Sequence, residues 1–190
     1  MMNIAIFASG SGSNAENIAH YFKGNRDVNV SLIVSNKKDA YVHERAKRLC
    51  IESVFFQKSD FETTNKVLDY LTSKQIDFIV LAGFLLKVPE NLLKAFPSRI
   101  INIHPALLPK FGGKGMYGDA VHKAVVEAGE TESGITIHYV NENYDEGAII
   151  FQAKCPVLEG DGYEDVAEKV HTLEYTHFPV VIEQLLKDQG

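Results

Sequence analysis

Short continuous apolar runs alternate with stretches of helical period along most of the chain. The runs are N-I-A-I-F-A (3–8), V-N-V-S-L-I-V (28–34), S-V-F-F (53–56), F-I-V-L-A (78–82) and R-I-I-N-I-H (99–104), each of strand length. Helices are predicted between them at about 14–23, 40–49 and 60–73, the last opening on Ser59 or Asp60 as its cap. Strands that are apolar at consecutive positions bury both faces. The pattern therefore predicts a mainly parallel sheet covered by helices on either side, with right-handed crossovers. This is an α/β class of Rossmann-like type, in which ligands bind beyond the carboxyl ends of the strands.

After residue 133 the grammar changes. G-I-T-I-H-Y-V and A-I-I-F-Q-A-K-C flank the turn-forming stretch N-E-N-Y-D-E-G, which predicts two antiparallel strands as a C-terminal extension of the sheet. A helical region follows from about residue 162, and Pro179 is expected to break it into two pieces.

Composition narrows the function. With 190 residues, 45% of them hydrophobic, and no repeat, linker or low-complexity tract, the chain is expected to form one domain over 1–190. A net charge of -6 demotes nucleic acid and acidic membrane surfaces as partners. Cys50 and Cys155 stand far apart without a C-x-x-C pattern, so neither a disulfide framework nor a thiolate metal site is indicated, and a cytoplasmic location is expected. The apolar N-terminal run is too short for a signal peptide or a membrane span.

Three places can carry chemistry. S-G-S-G-S-N (9–14) lies between the first strand and the first helix, where glycines let backbone N–H groups approach a phosphate; an ordinary glycine-rich turn is the plainer alternative. NAD fits it poorly, because Asn36 stands where an acidic ribose ligand would be expected, while Lys37 and Lys38 leave NADP as a weak rival. In I-I-N-I-H-P-A-L-L-P (100–109), Asn102 and His104 are two apart in a strand and point to the same side, like the donors of an oxyanion site, with Pro105 and Pro109 stiffening the exit. A buried polar pair satisfying loop backbone is the competing reading. Asp145, in the late turn, would orient His104 and favour its charged form, although a turn aspartate needs no function.

No Gly-x-Ser-x-Gly elbow or activated cysteine is present, which leaves direct transfer of a group between two bound substrates. His171, Glu174 and His177 share a helix face, but a metal site there lacks partners from other elements, and no metal is expected.

Taken together, S-G-S-G-S-N, L-A-G-F-L-L-K-V-P, I-N-I-H-P-A-L-L-P, and D-E-G followed by I-I-F-Q-A resemble the phosphoribosylglycinamide formyltransferases, folate-dependent members of the formyltransferase superfamily. The resemblance spans essentially the whole chain. It implies that Asn102, His104 and Asp145 are a catalytic trio. It further implies that Gly12, Ser13 and Asn14 hold the phosphate of glycinamide ribonucleotide, and that Glu174 contacts its ribose. Leu85 and Val88, with Val140 and Asn141 of the 140–145 loop, would form the folate pocket. The formyl donor implied is 10-formyltetrahydrofolate, with no metal. On this view the first 100 or so residues bind phosphate, the remainder carries catalysis and folate, and the protein is a monomer or homodimer.

The glycine-rich loop K-F-G-G-K-G-M-Y-G-D (110–119) departs from the expected family pattern, and His122 beyond it ranks below the trio. A tRNA formyltransferase or a typical formyltetrahydrofolate deformylase would need a further domain that 190 residues do not hold. A deformylase-like hydrolase and a non-catalytic nucleotide-binding module are the remaining alternatives.

Overall fold

The computed structural model describes residues 1–188. The elements in chain order are β1 (Met2–Phe7), α1 (Ser13–Tyr21), β2 (Val28–Ser35), α2 (Val42–Leu49), β3 (Glu52–Phe55), α3 (Lys58–Glu62), α4 (Lys66–Ser73), β4 (Phe78–Leu81), α5 (Glu90–Ala95), β5 (Ile100–His104), α6 (Asp119–Glu127), β6 (Glu132–Tyr139), β7 (Ile149–Pro156) and α7 (Tyr163–Asp188). They build one seven-stranded sheet in the order β3-β2-β1-β4-β5-β6-β7. The first five strands pair in parallel, and β6 and β7 add antiparallel.

Consecutive apolar residues divide between the two faces of this sheet, as the strand period requires. Ile4, Ile6, Phe78, Val80, Ile101 and Ile103 pack on one side with Ile18 of α1, Val125 of α6 and Phe178 of α7. Ala5, Phe7, Ile79, Leu81 and Ile100 pack on the other with Phe61, Leu71 and Leu92 of α3, α4 and α5. Strands β2 and β3 are added on one side of β1 and β4 onward on the other, so the strand order reverses between β1 and β4, and the crevice opens there.

Three expectations change. The helix predicted over 60–73 is two helices, because the Thr63 and Thr64 hydroxyls donate back to the carbonyls of Ser59 and Asp60, and Thr64 Oγ1 then accepts the Lys66 N–H that starts α4. Its first half opens at Gln57, whose N–H bonds the Asp60 carboxylate. Pro179 does not divide the C-terminal helix. Proline removes the N–H that would have bonded the Tyr175 carbonyl four residues back. Asn17 Nδ2 of α1 donates to that carbonyl at 3.0 Å, and buried Phe178 and Ile182 anchor the helix on either side. Finally, α5 and α6 had no counterpart among the predicted helices. Among the described residues, no helix is long and apolar enough to cross a membrane.

Candidate active site

The carboxyl ends of β1, β4 and β5 open into a cleft of about 660 Å³. At one end is the glycine turn. Gly12 caps α1 with φ +73°, and a Cβ there would lie 2.2 Å from Val42 Cγ2, so the position admits only glycine. The N–H groups of the first helical turn that follows have no acceptor within the helix. The Ser9 hydroxyl donates to Asn36 Oδ1 at 2.5 Å and accepts the Leu85 N–H at 2.9 Å, tying the turn to the segment after β4. Asn36 is thus engaged in holding the turn.

Glu174 comes from the middle of α7 and is buried at this end of the cleft. Its Oε2 accepts from Asn14 Nδ2 at 3.0 Å and from His171 Nδ1 at 2.9 Å. That bond from Glu174 is the main reason the half-buried His171 has its pKa raised. His177, grouped with these two by sequence, instead packs its ring on Phe151. His122 on α6 lines the cleft between the two ends, buried, with its Nδ1 unpartnered among the described residues; burial pushes its pKa down.

At the other end, Asn102 and His104 do project to the same side of β5 and line the cleft. Antiparallel pairing places His138 of β6 opposite Asn102. The His138 Nδ1 donates to the Tyr139 carbonyl at 2.8 Å, so in the neutral ring Nε2 is the acceptor, and Asn102 Nδ2 donates to it at 3.2 Å. His104 is fixed in the same way: its Nε2 donates to the Phe111 carbonyl at 2.7 Å, and Nδ1 faces Asp145 Oδ2 at 3.5 Å. Asp145 Oδ1 lies 3.6 Å from His138 Nε2, and Oδ2 also accepts the Gly113 N–H at 2.9 Å.

Burial is the largest influence on the His104 pKa and lowers it, outweighing Asp145 and the Phe111 carbonyl, which act upward. Asp145, expected to favour the charged ring, acts in that direction, but burial outweighs it and the ring is pushed toward neutrality. Asp145 itself is held below the usual carboxylate range: burial acts upward, but the approach of His138, the charge of His104 and the Gly113 N–H together prevail.

The turn that carries Asp145 closes tightly. A Cβ on Gly147 would sit 1.6 Å from the Tyr139 carbonyl oxygen, and the pairing of β6 with β7 shifts register between Ile137 and His138, just before the turn. Leu85, Val88 and Val140 give the cleft an apolar wall, with Asn141 at its edge. The residues that the family resemblance assigns to catalysis and binding all line this one cleft: Gly12, Ser13, Asn14, Leu85, Val88, Asn102, His104, Val140, Asn141, Asp145 and Glu174.

Sequence reasoning missed His138. The signal was the polar pair Thr136 and His138, two apart in an apolar strand like Asn102 and His104, but its meaning depends on strand register. Among the described residues, no group of three or more His, Cys, Asp or Glu side chains is arranged to hold a metal ion.

The profile described as Formyl transferase matches residues 2–182. A phosphoribosylglycinamide formyltransferase of Bacillus subtilis is 38% identical over 98% of this chain and 95% of its own length. A chloroplastic phosphoribosylglycinamide formyltransferase of Arabidopsis thaliana is 42% identical over 98% of this chain, which spans 66% of that relative's length. The crystal structure of glycinamide ribonucleotide transformylase 1 from Symbiobacterium toebii superposes with a TM-score of 0.90 at 33% identity, covering 99% of this chain and 89% of that one.

Proposed function

Because this chain belongs to the formyl transferase family, we propose that it transfers the formyl group of 10-formyltetrahydrofolate to the amine of glycinamide ribonucleotide, a step of purine biosynthesis. The observation that carries the reading is convergence. One cleft holds a hydrogen-bonding, proton-handling cluster at one end, a phosphate-type turn beside a buried carboxylate at the other, and an apolar wall alongside. A phosphorylated amine and a flat apolar donor meet in such a cleft with the reacting atoms near Asn102 and His104.

The donor supplies an electrophilic formyl carbon, and the chain does the rest. Asn102 Nδ2 donates to the carbonyl oxygen as negative charge develops on it. One preorganised donor in a dry site lowers the barrier by about 3 kcal/mol. His138 and the β5–β6 register hold that amide in place.

His104 has one nitrogen free for chemistry, since Phe111 holds the Nε2–H. Its Nδ1, neutral at rest because of burial, accepts a proton as the amine attacks, and Asp145 stabilises the resulting imidazolium. The proton then goes to the leaving nitrogen, which balances the transfer. At the far end, Gly12, Ser13 and Asn14 bind the phosphate, and Glu174 accepts a ribose hydroxyl. Leu85, Val88, Val140 and Asn141 hold the folate.

The test is a spectrophotometric assay with glycinamide ribonucleotide and 10-formyltetrahydrofolate, omitting each substrate in turn and adding a chelator. Turnover that requires both substrates and survives the chelator is expected. Donor breakdown without the amine would instead identify a deformylase-like hydrolase, and ligand binding without any turnover a non-catalytic module.

A further inference from the structure

Glu174 has no lysine or arginine partner among the described residues; its only ionic partner is His171, one helical turn earlier on α7. Both His171 and Asn14 bond the same oxygen, Oε2, leaving Oε1 without a protein hydrogen bond among the described residues. Asn14 sits in the first turn of α1, so this carboxylate stands beside the N–H groups of the glycine turn. A bare carboxylate there would repel the phosphate that the turn is shaped to receive. We propose that His171 is the cation of the substrate site: as an imidazolium bonded to Glu174, it lets one small pocket hold a phosphate on the Gly12–Asn14 turn and a hydroxyl on Glu174 Oε1 at once. The proposal rests on the reading of that turn as a phosphate site.

His171 is placed for this role. It is half-buried, so protons reach it, and its ring stacks on Tyr175 at 6.3 Å and meets His122 edge-on at 6.3 Å. The titratable groups around it are Tyr163, Glu164, Glu168, Glu174 and Tyr175 on α7, and Asp119 and His122 on α6. Glu174 and Asp119 favour the charged ring, whereas His122 is itself held neutral by burial and does not oppose it strongly. The His-x-x-Glu spacing that suggested a metal site thus supplies a charge-compensating pair.

Affinity for a phosphorylated sugar should be present below the raised His171 pKa and lost as the pH rises through it. The second ionisation of the phosphate, near about pH 6, acts in the opposite direction. A lysine at position 171 keeps the charge at all these pH values and reports the phosphate effect alone.

NMR titrations with ribose 5-phosphate, and with ribose as control, at about pH 6 and 8.5, separate the cases for wild type, His171→Gln and His171→Lys. Wild type should lose about tenfold affinity for ribose 5-phosphate relative to His171→Lys over that range, while His171→Gln binds weakly throughout. In turnover, the KM for glycinamide ribonucleotide should follow the same pattern, with kcat and the folate KM moving less. Equal ribose 5-phosphate binding by all three proteins overturns the proposal alone. No binding to wild type at either pH overturns the phosphate reading and the proposal with it. Binding as expected without formyl transfer supports the charge pair and refutes the formyl-transfer reading.

Discussion

Each end of the cleft pairs a histidine with a carboxylate, and the two histidines are driven in opposite directions. His104 lies 3.5 Å from Asp145 and is pushed toward neutrality; His171 lies 2.9 Å from Glu174 and is pushed toward its charged form. The carboxylate acts upward in both cases. The difference is solvent: the side chain of His104 is 4% exposed, whereas that of His171 is 51% exposed. A charged ring costs desolvation at the first site and little at the second. A proton acceptor therefore stands where the proposed chemistry needs one, and a ring that favours its charged form where the proposed phosphate site needs one.

The most drastic way to break this contrast is to remove the buried ring. His104→Ala should lower kcat by about 10²- to 10⁴-fold. Single-turnover kinetics beside a circular-dichroism melt would check it, and a loss explained by unfolding would count against the catalytic role.

Removing each carboxylate in turn sharpens the contrast. In Asp145→Asn the His104 pKa should fall further below its ordinary value, and in Glu174→Gln that of His171 should drop back from its raised value. Imidazole C–H titration by NMR would follow both rings. An unchanged His171 titration in Glu174→Gln would remove the basis for the charge pair.

Stability carries the same signature with smaller amplitude. His104 and His122 have folded-state pKa values below the unfolded value of about 6.5. Their contributions are fully present above that value and are lost as the pH falls through the folded values. His171 has the opposite sign, present below about 6.5 and lost as the pH rises through its raised value. Urea midpoints should decline on acidification below about pH 6.5, and less steeply in His122→Asn. A parallel decline in that variant would show that His122 does not contribute.

The smallest expected effect concerns the helix that carries both His171 and Glu174. Asn17→Ala leaves the Tyr175 carbonyl without its partner beside Pro179 and should cost about 1 kcal/mol, read as a lower thermal midpoint. No change would mean that water replaces the amide.

Much of this molecule was written in local pattern. Consecutive apolar residues such as Ile4 to Phe7 and Phe78 to Leu81 announce strands buried on both faces, because side chains alternate at a period of two whatever surrounds them. The same period puts Asn102 and His104 on one side, and the glycines before α1 mark a turn that only glycine fits at Gly12. Those features depend on bonds and clashes within a few residues, so a sequence can state them.

Tertiary structure decided the rest. The Tyr175 carbonyl finds Asn17 from the far end of the chain, which keeps α7 whole through Pro179. His138 meets Asn102 only through the register of β5 against β6. Whether a histidine beside a carboxylate carries a proton depends on how much water remains around it. That is a property of packing between distant segments, and no local pattern contains it.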